Sequence, residues 1–177
     1  MTYTQHYDSP LGGILFAADE EGLTGLWFDG QKYFARTLPK EYAESETPVL
    51  CEAKRWLDIY FSGREPDFTP PLHPEGSAFQ QVVWVLLLEI PYGETTTYGT
   101  LARKLAEKQG LTHMSAQAVG GAVGHNDISL IIPCHRVVGA NGSLTGYAGG
   151  VDKKIKLLEL ERADMKSFFV PKAGTAL

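Results

Sequence analysis

Cys134 and His135 stand side by side in the run Ile131-Ile132-Pro133-Cys134-His135-Arg136-Val137-Val138. A thiol is a modest nucleophile until it ionises, and a neighbouring imidazole or other positive group promotes that ionisation. Pro133 fixes φ and removes a backbone donor, so a strand through this run cannot continue undisturbed. A thiolate held at a rigid turn is one reading. A buried packing cysteine is the other, because free cysteine is among the most buried residue types. Catalysis at a thiol needs a base to hold its proton and a third group to orient that base. In a regular strand His135 would point away from Cys134, so contact would run through a water or a bent backbone.

Metal chemistry is not expected. The two cysteines, Cys51 and Cys134, have 82 residues between them, and the five histidines are scattered. Two cysteines do not make a disulfide framework, which points to a reducing compartment and a cytoplasmic protein. The longest apolar run, Val82 to Leu88, is far short of the ~20 residues that cross a bilayer. The polar N-terminus lacks the order of a secretory signal. Net charge is −5 and uneven: residues 1–76 hold 6 Lys and Arg against 13 Asp and Glu, residues 77–177 hold 10 against 8. The second part can therefore approach phosphate, with weak and salt-dependent attraction.

The elements that must carry these residues follow from periodicity. Residues 2–28 alternate as a meander of about three strands, with Asp19-Glu20-Glu21-Gly22 as a hairpin loop. Val49, Leu50, Ala53, Trp56, Leu57, Tyr60 and Phe61 recur at helical spacing, giving an amphipathic helix over 48–62 capped by Thr47, with Cys51 as a packing residue. Residues 63–76 carry Pro66, Pro70, Pro71 and Pro74 and read as a linker. Ser77 opens a helix, ended by Pro91-Tyr92-Gly93, that is apolar nearly all round. Helices follow over about 98–108 and, capped by Ser115, over 116–123, a helix-turn-helix pattern. A strand bearing Cys134, a glycine-rich loop at 146–150 and a helix over 153–163 capped by Asp152 complete the chain. Residues from Lys166 on are expected to fray.

The 116–123 helix is odd in composition. Gly120 and Gly121 sit mid-helix, at a cost of about 1 kcal/mol each relative to alanine. With Ala116, Ala118 and Ala122 they leave little side chain on it. Such a helix suits close approach to another backbone or to a narrow groove, and in B-DNA the narrow groove is the minor one.

The 131–138 run, Gly146-Tyr147-Ala148-Gly149-Gly150, Ala118-Val119-Gly120-Gly121-Ala122 and Ile90-Pro91-Tyr92-Gly93 together resemble the O6-alkylguanine-DNA alkyltransferases. The likeness is dense over about 77–161 and thin before it. It implies an α/β chain: an N-terminal β-sheet-plus-helix domain over 1–76, then a mostly helical C-terminal domain over 77–177 with a winged-helix-like DNA-binding element. It implies DNA repair by transfer of an alkyl group from O6 of guanine, and from O4 of thymine, to Cys134. The resemblance makes Glu161 the carboxylate that orients His135 and Tyr98 the acid near the departing base. Asn126 would tie the recognition helix to the active-site strand. Ser115, Ala116, Gln117, Gly120, Gly121 and Arg136 would meet DNA through the minor groove. Val137, Tyr147, Ala148 and Gly149 would form the pocket, with the carbonyls of Cys134 and Val137 reading the exocyclic amine. A monomer without cofactor is implied, used once because a thioether does not hydrolyse.

This sequence departs from the family pattern in three places. Gln117 stands where relatives carry an arginine that fills the vacated base stack. Asp127 follows Asn126 where a proline is common. Ala148 replaces a serine that contacts substrate in some relatives. Two rival readings follow from the same residues. A non-catalytic lesion binder would ordinarily lack the cysteine. A cysteine hydrolase using Cys134, His135 and Glu161 would turn over repeatedly on an ester or amide.

Overall fold

The computed structural model describes residues 1–171 of the 177-residue chain. These residues form two compact units. The first is Met1–Glu75 with Asp127–Ile131; the second holds Gly76–Asn126 and the chain from Ile132 onward.

In the first unit, strands β1 (Thr2–Ser9), β2 (Gly12–Ala18) and β3 (Leu23–Phe28) form the antiparallel meander. A three-residue strand absent from the sequence reading, β4 (Tyr42–Glu44), adds to the outer edge of β1 in parallel, giving the order β3-β2-β1-β4. Helix α1 (Pro48–Phe61) starts at Thr47, whose hydroxyl accepts from Leu50 N, and buries Leu50, Ala53, Trp56, Leu57 and Tyr60. Trp56 and Tyr60 stack on one face at 5.1 Å. The Tyr7 hydroxyl of β1 donates to Asp58 of α1 at 2.6 Å. Cys51 lies on the opposite face and is exposed, so it is not the expected packing residue.

All six residues of β3 are buried, although β3 ends the four-strand order. Two short segments cover its outer edge. Leu23 N donates to Pro71 O and His73 N to Leu23 O, bridging Leu23 to Leu72. Leu26 N donates to Asp127 O and Ser129 N to Leu26 O, bridging Leu26 to Ile128. Part of the expected 63–76 linker is therefore sheet edge rather than free chain. Proline serves here because only its carbonyl is needed.

In the second unit, α2 (Ala78–Leu88) opens with a full capping box in which Ser77 and Gln80 satisfy each other's backbone donors. It is less buried than its composition suggests, with Val85 half exposed and Leu88 exposed. Strand β5 (Thr96–Thr97) leads into α3 (Tyr98–Lys108), capped by Thr97, and α4 (Ala116–Gly124) is capped by Ser115. Helices α2, α3 and α4 pack on one another, and the Trp84 indole of α2 donates to Ala122 O of α4 at 2.9 Å.

The expected strand through Cys134 does not form. Leu130 takes φ +71°, Pro133 breaks the run, and Cys134–Arg136 make one 3₁₀ turn. Only Val137–Val138 are extended, as β6, paired in parallel with β5. Helix α5 spans Val151–Leu160 and begins at Gly150, whose φ of +99° suits glycine. Asp152 is therefore in the first turn rather than at the cap. Residues 166–169 do not fray: Leu144 N donates to Phe169 O and Phe169 N to Gly142 O. The rest of the expected frayed tail, 172–177, lies outside the described residues. Among the described residues no helix is long and apolar enough to cross a membrane.

Candidate active site

Cys134 sits at the start of the 3₁₀ turn, buried at 7% exposure. Its N–H donates to Ile132 O at 2.8 Å, and Arg136 N donates to Pro133 O at 3.0 Å, closing the turn. Because the backbone is wound rather than extended, strand alternation does not govern where His135 points. Burial pushes the thiol pKa up; a hydrogen bond with the Asn126 side chain and the charge of Lys154 pull against that. The resting group is therefore a neutral thiol poised between opposing influences.

Asn126 lies just past the end of α4. Its carboxamide donates to Ile132 O at 2.9 Å and also meets the Cys134 thiol. Asn126 thereby bridges the end of α4 and the segment that carries Cys134.

His135 is wholly buried. Its Nε2 lies 2.6 Å from Glu161 Oε2, while Nδ1 has no hydrogen-bond partner among the described residues. Burial lowers the imidazole pKa, against the pull of Glu161, so the ring is neutral near pH 7. Burial would raise Glu161, but hydrogen bonds from His135 and Arg136 hold it well below the usual carboxylate range. An ionised Glu161 can only accept, so Nε2 carries the proton and Nδ1 keeps a lone pair. The imidazole is thereby presented as a base.

Glu161 occupies the C-cap of α5, where the helix dipole disfavours negative charge. Arg136 supplies the compensation. Its Nε reaches Glu161 Oε1 at 2.8 Å, Nη2 reaches Oε2 at 3.2 Å, and Nη1 donates to Ile90 O at 2.8 Å. Gly93 N adds a contact to Glu161 Oε1 at 3.3 Å. Arg136 was expected to face DNA; its guanidinium is instead turned inward onto the carboxylate.

Tyr98 opens α3. Its hydroxyl is buried and makes no hydrogen bond among the described residues. Burial first, and the nearby Cys134 second, push its pKa far up, so the phenol keeps its proton. Tyr147, buried in the glycine-rich loop, meets the His135 ring edge-on at 6.4 Å, and Ala148 and Gly149 beside it are half-buried. Val137 is fully buried, and its carbonyl, expected to read the exocyclic amine, accepts from Lys154 at 2.5 Å.

Lys154 is the residue that sequence reasoning missed. It is fully buried on α5, with Nζ donating to Val137 O and, at 2.8 Å, to Thr145 O. Burial pulls its pKa down to about 8, while Cys134 works the other way. The signal was present: Lys154 lies on the same helical stripe as Leu157 and Leu158.

On α4, Ser115, Ala116, Gln117, Ala118 and Gly121 are exposed, while Val119, Gly120, Ala122 and Val123 face inward. Gly120 is therefore a packing glycine rather than a surface one. A Cβ at Gly121 would have nothing within 4 Å. Beyond the capping Ser115, the exposed face within the helix offers one polar side chain, Gln117, among alanines and glycine.

Residues 2–74 match the family model for the ribonuclease-like domain of 6-O-methylguanine DNA methyltransferase, and residues 78–163 match its DNA binding domain. The chain is 46% identical over 160 residues to a methylated-DNA–protein-cysteine methyltransferase of Methanosarcina acetivorans, covering 90% of this chain and 97% of that protein. It is 42% identical to the protein of the same name from Haemophilus influenzae, covering 90% and 86%. The crystal structure of Mycobacterium tuberculosis OGT in complex with DNA superposes with a TM-score of 0.78 at 40% identity, over 90% of this chain and 92% of that one.

Proposed function

The chain belongs to the 6-O-methylguanine DNA methyltransferase family and repairs DNA by moving the methyl group of O6-methylguanine to a cysteine; from that premise we propose that Cys134 is the acceptor. The observation that carries this is the placement of Cys134 on a tight turn, hydrogen-bonded to Asn126 and followed by a buried, Glu161-oriented imidazole.

In the reaction, Sγ attacks the methyl carbon, the S–C bond forms and the C–O6 bond breaks. The thiol proton passes to His135 Nδ1, directly or through water, and the electron pair of the broken bond goes to the guanine. Glu161, ionised throughout, stabilises the imidazolium without taking the proton. The Tyr98 phenol, which keeps its proton at rest, gives it to the guanine as it departs and is reprotonated from the His135 imidazolium through solvent, so that the thiol proton ends on the base. The product is a thioether, a poor leaving group toward water, so each molecule acts once. No cofactor enters, since DNA itself is the alkyl donor.

The target oxygen lies inside a duplex, so the base must leave the stack, at a cost of a few kcal/mol. The exposed face of α4, nearly free of side chains, fits the minor groove, with Gln117 at the vacated stack. A monomer acting in the cytoplasm completes the reading; the two free cysteines, exposed Cys51 and buried Cys134, suit a reducing compartment.

The test is intact mass and peptide mapping after incubation with duplex DNA containing O6-methylguanine. One methyl per protein, on Cys134, is expected. A methyl on another residue, or repeated turnover without modification, overturns the assignment.

A further inference from the structure

Asp127, the departure from the common Asn-Pro pattern, is buried at 3% exposure and has no part in the chemistry above. Its Oδ1 accepts from the Trp27 indole at 3.2 Å, and its Oδ2 forms a close ion pair with Arg36. Asp127 begins the five-residue excursion 127–131 that belongs to the first unit. The excursion is held by the two hydrogen bonds to Leu26, by Ile128 and Leu130 at 0% exposure, and by Ser129 against Gln31. Leu130 at φ +71° is strained, and such a conformation persists only while its surroundings enforce it.

The two feet of this excursion are Asn126 and Ile132, the residues that cradle the nucleophile. Ile132 O accepts from both Asn126 Nδ2 and Cys134 N, and the Asn126 carboxamide also meets the thiol. We propose that Arg36 and Trp27 are positioning residues for Cys134: by clamping Asp127 they fix the excursion, and through it the direction of the Asn126 carboxamide. Without Arg36 the Asp127 carboxylate is a buried charge with one neutral donor, relieved by moving toward water. That movement pulls the Asn126–Asp127 peptide and lets Leu130 relax. This rests on Cys134 being the acceptor.

The experiment uses full-length protein carrying Cys51→Ser, so that Cys134 is the remaining thiol. The second-order rate with free O6-benzylguanine is measured from neutral to mildly alkaline pH for Arg36→Leu, Asp127→Ala, the double variant and Arg36→Lys. Free base bypasses duplex binding. The titratable groups facing the thiol, namely Tyr98 on α3, His135 in the turn and Lys154 on α5, are the same in all. Arg36→Leu and Asp127→Ala should each slow the reaction by about tenfold or more and displace its pH midpoint. The double variant should be no slower than either single, and Arg36→Lys should recover most of the rate. If Arg36→Leu fails to fold, Asp127→Asn, which keeps the Trp27 contact and drops the charge, answers the same question. Folded variants with unchanged rate and pH profile overturn the proposal. Failure of the Cys51→Ser protein itself to take benzyl on Cys134 would instead overturn the acceptor assignment.

Discussion

At Glu161 one carboxylate serves three partners, and its titration makes the site visible in the stability of the protein. Its folded pKa lies below the ordinary 4.5, so its contribution is present above that value and lost as pH falls below it. His135, depressed from 6.5 by burial, acts in the same direction: the unfolded chain takes the proton first, so stability falls as pH drops below 6.5. Glu161→Gln leaves the Arg136 guanidinium buried without its counter-charge, and we expect a loss of about 3 kcal/mol at pH 7. Its stability curve should also be flatter than wild type below pH 4.5. Denaturant titrations at several pH values check both; parallel curves would show that Glu161 does not titrate as described. Cys134 and His135 stood out by residue type and adjacency, whereas Glu161 was singled out only through family resemblance, since a glutamate near a helix end reads as solvated. Lys154 could have been found from its apolar stripe alone. The inward turn of Arg136 could not, because nothing local tells a cation which carboxylate it will meet.

At the scale of elements, α4 separates a packed face from the exposed face proposed to meet DNA, along one nine-residue helix. Gly121→Ala adds a methyl where there is open space and should stabilise the protein by up to about 1 kcal/mol through helix propensity. The same methyl stands on the face assigned to the groove, so affinity for duplex DNA should fall while reaction with free O6-benzylguanine is kept. Melting temperature and a binding titration on one preparation check the pair; unchanged affinity would place another surface on the DNA. Gln117→Arg adds a charge at the position proposed to stand at the vacated stack. It should speed repair of duplex and steepen its salt dependence by up to about one phosphate contact. The free base should react as before, and equal acceleration on both substrates would mean that residue 117 acts on the chemistry. Helix starts were legible at Thr47, Ser77 and Ser115, where a cap residue stands before an apolar period, but not at α5, where Asp152 read as the cap and Gly150 holds that place. The turn at Cys134 was legible only in part: Pro133 marks a break through its fixed φ and missing donor, but the run still read as a strand bearing Cys134, and nothing local announces the left-handed backbone of Leu130.

For the whole molecule, alkylation changes the thing that was built. Cys134 lies in a packed cradle, and an added methyl there typically costs about 1–3 kcal/mol through overpacking. The thiol's hydrogen bond with Asn126 is weakened as well. Quantitatively methylated protein should therefore melt below unreacted protein in calorimetry; an equal or higher midpoint would mean that the cradle has room. Composition suggests a single cut of the chain near residue 76, and nothing in it suggests that 127–131 returns to the first unit. Pairing of Leu26 with Ile128 joins residues about a hundred positions apart, and no local pattern announces it.

That return has a consequence for how the protein can be taken apart. A chain severed after Glu75 yields two fragments, neither of which is a complete unit. The shorter lacks the segment that seals half of the outer β3 edge, and a bare edge invites association with other chains. The longer carries Ile128 and Leu130 with nothing to bury them. Co-expressed, the fragments should complement and co-purify; expressed alone, the shorter should aggregate, and a peptide of residues 126–132 added during refolding should reduce its light scattering.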